Sequence, residues 1–320
     1  MAGEAPVWVL LGRRTGDNSQ LLRLAEALGR SFRSIELSYN ALHLIPPRLL
    51  GATLSTLAPE SKRQIRPRWP DLILGIGYRS VPVALAIQKL SGGKTKLVRL
   101  GNPRLDPKHF DLVITTEQYA VPGGPNVIRL PVGIPTSVPV DPTEQEAEWL
   151  AHLPRPHRLL LIGGDTFMWT LCPEAVARAA KDIAHKGGSV IPVSSPRSNR
   201  EVIATTGPHL DNPPRYPVLL ADADEIYVTG DSVSMISDAV TTGKPVGIIP
   251  PERTATGRLL YAFAGAAGRS VPVRDIQRFI NSVLDQGLAG TVEHPRSASS
   301  RPDASEIASS AIRKLLGTDV

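Results

Sequence analysis

Two turns, each following an apolar run, carry the residues best suited to chemistry. Gly163-Gly164-Asp165-Thr166 follows the run Leu159–Ile162. Glycines let a backbone approach a phosphate closely, and free amides at a helix start attract an anion. A tight turn also needs glycine, so the phosphate reading and the plain turn reading stand side by side. No GK[ST] follows, so this is not a P-loop. The second turn is Thr229-Gly230-Asp231-Ser232, after the run Glu225–Val228 and before a helical pattern over 233–242. Ser232 and Ser234 put hydroxyls at that helix start, where the first amides can hold an anion. Asp238 lies six residues past Ser232, and its carboxylate can accept both hydroxyls of a ribose. The alternatives are a simple N-cap for Ser232 and a solvated helix charge for Asp238.

A third polar turn, Gly12–Gln20, follows the short apolar run Val7–Leu11. Asp17 is its only acidic residue, which makes it the candidate base for deprotonating an acceptor hydroxyl. The competing reading is that Asp17 or Asn18 caps the first helix. The spacing of Gly12 and Gly16 is too wide for the dinucleotide fingerprint. No histidine finds a convincing partner, and no metal-ligand spacing is present. The single cysteine, Cys172, excludes an internal disulfide and a multi-cysteine metal site.

These turns need strands and helices to position them. Val7–Leu11, the Gly12–Gln20 turn and a helix ending at Gly29 make one strand–glycine–helix unit. Asp71–Gly77 followed by a helix over 80–90 makes another, and 96–100, 111–115 and 127–130 read as further strands. Residues 139–158 hold four prolines around an acidic helical patch and read as a linker. The series then restarts: strands over 158–162, 189–193, 218–221, 225–228 and 246–249, and helices over 173–186 and 233–242. Residues 290–303 read as polar and mobile, and a last helix spans 304–316. The expected fold is α/β, with two tandem doubly wound (Rossmann-like) domains facing a cleft. The expected boundaries are 1–145 and 155–303, with helix 304–320 packing back on the first domain.

The chain has 320 residues, a length suited to two domains. Its 42% hydrophobic and 21% charged residues exclude a disordered chain. No apolar run approaches the roughly 18 residues of a membrane span, and the N-terminus lacks the features of a secretion signal. The net charge of +6 is unevenly placed: residues 1–110 hold 17 basic and 7 acidic side chains, whereas 156–320 hold 17 of each. The basic excess can meet nucleic acid, an anionic membrane or a phosphorylated substrate. Aromatics at 5% and the absence of the usual folds argue against nucleic acid. Leu42, Leu44, Ile45, Leu49, Leu50, Leu54 and Leu57, next to Arg48, Lys62, Arg63, Arg66 and Arg68, suit contact with anionic lipid. A core-facing helix with a charged loop is the alternative.

The stretch Val228–Pro250 resembles the nucleotide-sugar motif of GT-B glycosyltransferases. It is similar to the enzyme that adds N-acetylglucosamine to the lipid-linked peptidoglycan precursor. Thr229-Gly230 stands for the motif's Ser-Gly, Asp238 for its ribose-binding Glu, and Gly243-Lys244-Pro245 for its Gly-x-Pro. Pro70–Ser80, with Gly77, Tyr78 and Arg79, looks like the acceptor-side turn of the same enzymes. A resemblance over nearly the whole chain rests on Gly12–Gln20, Gly101-Asn102-Pro103-Arg104 with Phe110–Val113, Leu161–Thr166 and Val228–Pro245. Together these look like bacterial relatives of the plant mitochondrial-fission ("elongated mitochondria") family, which is GT-B-like.

That resemblance implies a metal-independent glycosyltransferase. Its nucleotide-diphospho-sugar donor would lie on Gly163, Gly164, Asp165, Thr166, Ser195, Arg197, Thr229, Gly230, Ser232, Ser234 and Asp238. Ser195 and Arg197 would contact the diphosphate. Its acceptor, lipid-linked or an envelope glycan, would meet Gly16, Asn18, Gln20, Gly77, Tyr78, Arg79 and Asn102, with Asp17 as base. No cofactor beyond the donor co-substrate is expected, nor any nucleic-acid partner. The expected location is cytoplasmic and peripheral at the inner membrane face. The rival expectation is a non-enzymatic GT-B scaffold that binds a partner protein at a membrane surface.

Overall fold

The computed structural model describes residues 6–207, 210–266 and 274–318. The chain divides into two compact units, one of residues 1–130 with 304–320, the other of residues 131–303.

The first unit is built on β1 (Val7–Leu11), α1 (Thr15–Ala27), β2 (Phe32–Glu36), α2 (Pro47–Leu50), α3 (Pro59–Gln64), β3 (Leu72–Ile76), α4 (Val81–Leu90), β4 (Lys96–Leu100), β5 (Leu112–Thr116) and β6 (Val127–Leu130). All the strands are parallel, in the order β2-β1-β3-β4-β5-β6. A parallel sheet covered by helices on both faces needs strands that are apolar throughout, and β1 (VWVLL) is buried along its whole length. Trp8, Leu10, Ile35, Ile73, Ile87, Leu97 and Val113 share one core on this sheet. The helix α1 starts at Thr15, earlier than the pattern suggests, so Thr15–Gln20 are helical. No side chain caps it at Arg14. Instead Asn18 bonds both backbone groups of Gly12, accepting its N–H at 2.8 Å and donating to its C=O at 2.9 Å.

The second unit carries α5 (Glu144–Ala151), β7 (His157–Ile162), β8 (Trp169–Thr170), α6 (Pro173–His185), β9 (Ser189–Ser194), α7 (Arg200–Ala204), α8 (Tyr216–Asp222), β10 (Glu225–Thr229), α9 (Val233–Thr241), β11 (Val246–Ile249), β12 (Glu252–Arg253), α10 (Ala255–Ala266), α11 (Ile276–Asp285) and β13 (Gly290–Thr291). Its main sheet runs β13-β11-β10-β7-β9, and β8 and β12 pair separately. The core gathers Leu160, Ile162, Val176, Ile183, Val202, Tyr227 and Ile249.

Three segments differ from expectation. Residues 218–221, expected as a strand, lie in α8. Pro217 sits in its first turn, where its fixed φ suits a helix. The proline-rich segment is part of the second unit rather than a free linker. A capping box on Thr143 and Glu146 starts α5, and Arg215 pairs with Glu146 at 2.7 Å. Residues 290–303 are tied down by β13, by Arg296 bridging to Val246, and by Arg301 donating to the Thr242 carbonyl at 2.7 Å. The last helix, α12 (Ala304–Leu316), packs on α1 within the first unit, and Arg313 donates to the Ala27 carbonyl there.

Candidate functional site

The strand order of the second unit reverses between β7 and β10. In doubly wound sheets ligands bind beyond the carboxyl ends of the strands at such a point. Here those ends carry Gly163-Gly164 and Thr229-Gly230-Asp231. The Gly163 amide donates to Thr229 Oγ1 at 2.8 Å, and the Gly164 amide to Asp231 Oδ2 at 2.7 Å. The Thr229 hydroxyl donates to Asp231 Oδ1 at 2.7 Å. Asp231 is fully buried. Burial pushes its carboxyl up, while the Thr229 hydroxyl, the Gly164 amide and the charge of Arg197 pull it down.

This brace corrects the phosphate cradle expected at Gly163 and Gly164, because both amides already have partners inside the chain. The glycines are needed for space. A Cβ on Gly163 would lie 2.1 Å from Asp231 Oδ2, and one on Gly164 would lie 2.1 Å from the Arg197 carbonyl oxygen. Asp165 and Thr166 also act within their loop. Asp165 accepts from the Thr170 hydroxyl at 2.9 Å and the Leu171 amide at 3.1 Å. Thr166 exchanges bonds with the Trp169 backbone. The Gly230 amide donates to the Ile249 carbonyl at 2.8 Å.

Arg197 sits in the turn after β9. Its amide reaches Ser195 Oγ at 3.3 Å, and Ser198 ties the turn to β7 through the Ile162 carbonyl at 2.8 Å and the Gly163 carbonyl. Its side chain is exposed. Sequence reasoning missed Ser198 and Asp231. The signal for both was their place in the turn past a strand's end, beside a residue already singled out.

The helix α9 opens directly after Asp231. Ser232 stands at its N-cap position, yet no side-chain cap bond forms. Its hydroxyl meets that of Ser234 at 3.3 Å. The first turn of α9 therefore presents backbone amides without a side-chain cap, next to two hydroxyls.

Asp238 is not a solvated helix charge: its carboxylate bonds within the chain. It is only 3% exposed. It accepts from the Thr136 amide at 2.6 Å, the Thr136 hydroxyl at 2.8 Å, the Ser137 amide at 3.3 Å and the Tyr216 hydroxyl at 3.3 Å. Burial raises its carboxyl pKa against these four donors. The carboxylate's acceptor positions are filled by its own unit.

In the first unit the order reverses between β1 and β3. Gly16, Asp17, Asn18 and Gln20 occupy the first turns of α1, past β1. Asp17 is half-buried there. Gly77, Tyr78 and Arg79 form the turn after β3, and Asn102 lies in the turn after β4, accepting the Arg104 amide at 2.8 Å. The residues expected on the acceptor side thus share one end of one sheet, and those expected on the donor side, Asp238 apart, share one end of the other. A cavity of about 420 Å³ in the first unit, lined by Arg48, Leu85, Lys89, Leu105 and His109, contains none of them.

His157 corrects the reading that no histidine has a partner. Its Nδ1 lies 2.6 Å from Asp222 Oδ2, and its Nε2 lies 3.1 Å from the Leu153 carbonyl. The pair sits at the amino end of β7, away from the turns above, beside Arg155 bonded to Asp222 and Asp224. It fixes the start of the sheet. Among the described residues no cluster of three metal-ligating side chains occurs, and no helix is long and apolar enough to cross a membrane.

Residues 15–264 match the family described as Mitochondrial fission ELM1. The chain belongs to that family. A curated relative, an uncharacterized protein of Rickettsia prowazekii (strain Madrid E), is 24% identical over 297 residues, covering 77% of this chain and 83% of the relative. Among solved structures, a UDP-N-acetylglucosamine 2-epimerase candidate from Listeria monocytogenes aligns with TM-score 0.52 at 14% identity, over 98% of this chain and 97% of the other. Arabidopsis thaliana UGT89C1 aligns with TM-score 0.50 at 11% identity, over 97% and 89%. At such identities the likeness is one of fold. The ELM1-family chain has two Rossmann-like α/β domains of the GT-B type.

Proposed function

We propose that this chain is a GT-B-type glycosyltransferase that binds a nucleotide-diphospho-sugar on its second unit and a lipid-linked or envelope glycan acceptor on its first. The observation that carries the reading is the uncapped N-terminus of α9 at the β7/β10 reversal, with Ser232, Ser234 and the exposed Arg197 around the same strand ends. Helix amides and a guanidinium fork suit a diphosphate, and they stabilise the charge that grows on it as the glycosidic bond to the donor breaks. The buried Thr229–Asp231–Gly164 brace keeps the two strand ends in register beneath that anion. Asp17, in the first turn of α1, is the group assigned to take the acceptor's proton. The names of the fold neighbours, a UDP-N-acetylglucosamine epimerase candidate and a UGT, support a sugar nucleotide as the ligand class. The exposed Leu44 and Leu49, beside Arg48, support peripheral contact with an anionic membrane.

The test is titration of the full chain with UDP- and GDP-sugars, read by thermal shift and calorimetry. A stabilised wild type and an Arg197→Ala variant weakened at least about tenfold are expected, since a bidentate charged contact is lost. If no nucleotide binds the wild type, the donor reading fails. The internal saturation of Asp238 favours a second reading, a GT-B scaffold that has given up catalysis. Nucleotide binding without sugar transfer to any prenyl-phosphate or glycan acceptor would select it.

A further inference from the structure

The first unit buries a positive charge that has no counter-charge. Arg99, in β4, is fully buried. One of its terminal nitrogens donates to the Gly77 carbonyl and, at 3.1 Å, to Ser80 Oγ. Its Nε and other terminal nitrogen have no hydrogen-bond partner, and no ion pair of Arg99 occurs among the described residues. Burial pulls its pKa down to about 10, so it stays protonated near neutrality. The neighbouring phenol of Tyr39, pushed up to about 12 by burial, stays neutral. The strand β3 makes room for the guanidinium by placing glycine at 75, where a Cβ would lie 2.0 Å from Arg99 Nη1. An unpaired buried charge is costly, and an anion bound from outside the chain offsets that cost.

The surroundings indicate that partner. The guanidinium lies under the Gly77–Ser80 turn, and α4 opens from that turn with no side-chain cap. The positive end of a ten-residue helix therefore points to the same place. Above it, Arg104 lies 4.2 Å and Arg79 5.9 Å from the Tyr78 ring centroid, both exposed. Arg104 takes a left-handed φ of 54°, and Asn102 holds its amide. Arg13 and Arg14 stand at the end of the adjacent strand β1.

We propose that the carboxyl ends of β1, β3 and β4 form an anion site for a phosphate-bearing acceptor, with the phosphate on the N-terminus of α4 above Arg99 and between Arg79 and Arg104. The proposal deepens the acceptor half of the function proposed above and rests on it. The charge excess of the first 110 residues is, on this account, partly a substrate site.

Inorganic pyrophosphate, farnesyl diphosphate and farnesol are titrated into the full chain by calorimetry. Binding of both anions but not of farnesol is expected. Equal affinities assign recognition to the phosphates alone, and a tighter farnesyl diphosphate adds a contact for the lipid tail; both outcomes support the site. The double variant Arg79→Gln/Arg104→Gln should bind farnesyl diphosphate at least about tenfold more weakly while UDP-sugar binding is unchanged. Arg99→Met should melt higher than wild type without ligand and lose the ligand-induced shift. Wild-type affinity in the double variant, or no anion binding by the wild type, overturns the proposal. Failure of the donor reading looks different: farnesyl diphosphate still binds and no nucleotide does.

Discussion

The Asp238 carboxylate accepts both the amide and the hydroxyl of Thr136, at 2.6 and 2.8 Å. The two residues are 102 apart in sequence, so a helix of the second sheet holds the segment that enters the unit. Removing the carboxylate strands the two half-buried donors of Thr136 and the half-buried Tyr216 hydroxyl. Asp238→Ala should therefore lose about 2–4 kcal/mol in denaturant unfolding. Unchanged stability combined with lost nucleotide affinity would return this carboxylate to a ribose.

Gly164→Ala should destabilise the second unit by about 1–3 kcal/mol, because the new methyl overpacks against a backbone oxygen. That oxygen belongs to Arg197, 2.1 Å from the added Cβ, so the turn carrying the guanidinium must shift. UDP-sugar affinity should fall with it. The comparison is Gly16→Ala, where the Cβ meets nothing within 4 Å and the affinity should hold.

The strands and their glycine turns were legible in the sequence because parallel strands covered on both faces are continuous apolar runs. Val7–Leu11 and Leu159–Ile162 show this pattern, and Gly12 and Gly163 follow their carboxyl ends. Residues 218–221 misled for the same reason: four apolar residues are too short to show a period, and Pro217 settles the matter as a helix. The roles of Gly164 and Asp238 were not legible, since each depends on a partner far along the chain. A glycine beside a strand looks the same whether it makes space for a phosphate or for Asp231. The charge of Arg99 was counted but not located, because burial is a property of the assembled sheet.

Acid should unfold the second unit partly through Glu146. Hydrogen bonds from the Arg215 side chain and backbone, and then from Thr143, hold its carboxyl well below the ordinary 4.5. A lowered folded pKa means stability that is present above 4.5 and lost as pH falls through the folded value. The melting-temperature lead of wild type over Glu146→Gln should therefore shrink as pH drops from 6 toward 3. Asp231 has the opposite sign, its carboxyl being raised by burial. The wild type should be best placed against Asp231→Asn below the ordinary 3.8 and lose ground as pH rises. Parallel curves for either pair would refute the linkage.

The first unit exposes Leu44 and Leu49 at 73% and 72%, on a segment that the alternative reading placed in the core. The segment is short turns instead: a 3-10 turn over Ala41–Leu44, then α2, which is only four residues long. Prolines 46 and 47 prevent one continuous helix from turning these leucines inward. Arg48 lies between them in sequence, with Arg63 in the last turn of α3 and Arg66 just after it. Exposed leucines insert into a headgroup layer, and each nearby cation adds about 1 kcal/mol on anionic lipid. Flotation with phosphatidylglycerol vesicles should capture the wild type, and capture should fall with salt because the charge term is screened. Leu44→Glu/Leu49→Glu should lose binding at every salt concentration, whereas Arg63→Glu/Arg66→Glu should lose most of it only at low salt. Wild-type flotation by both double variants would remove the membrane from this face.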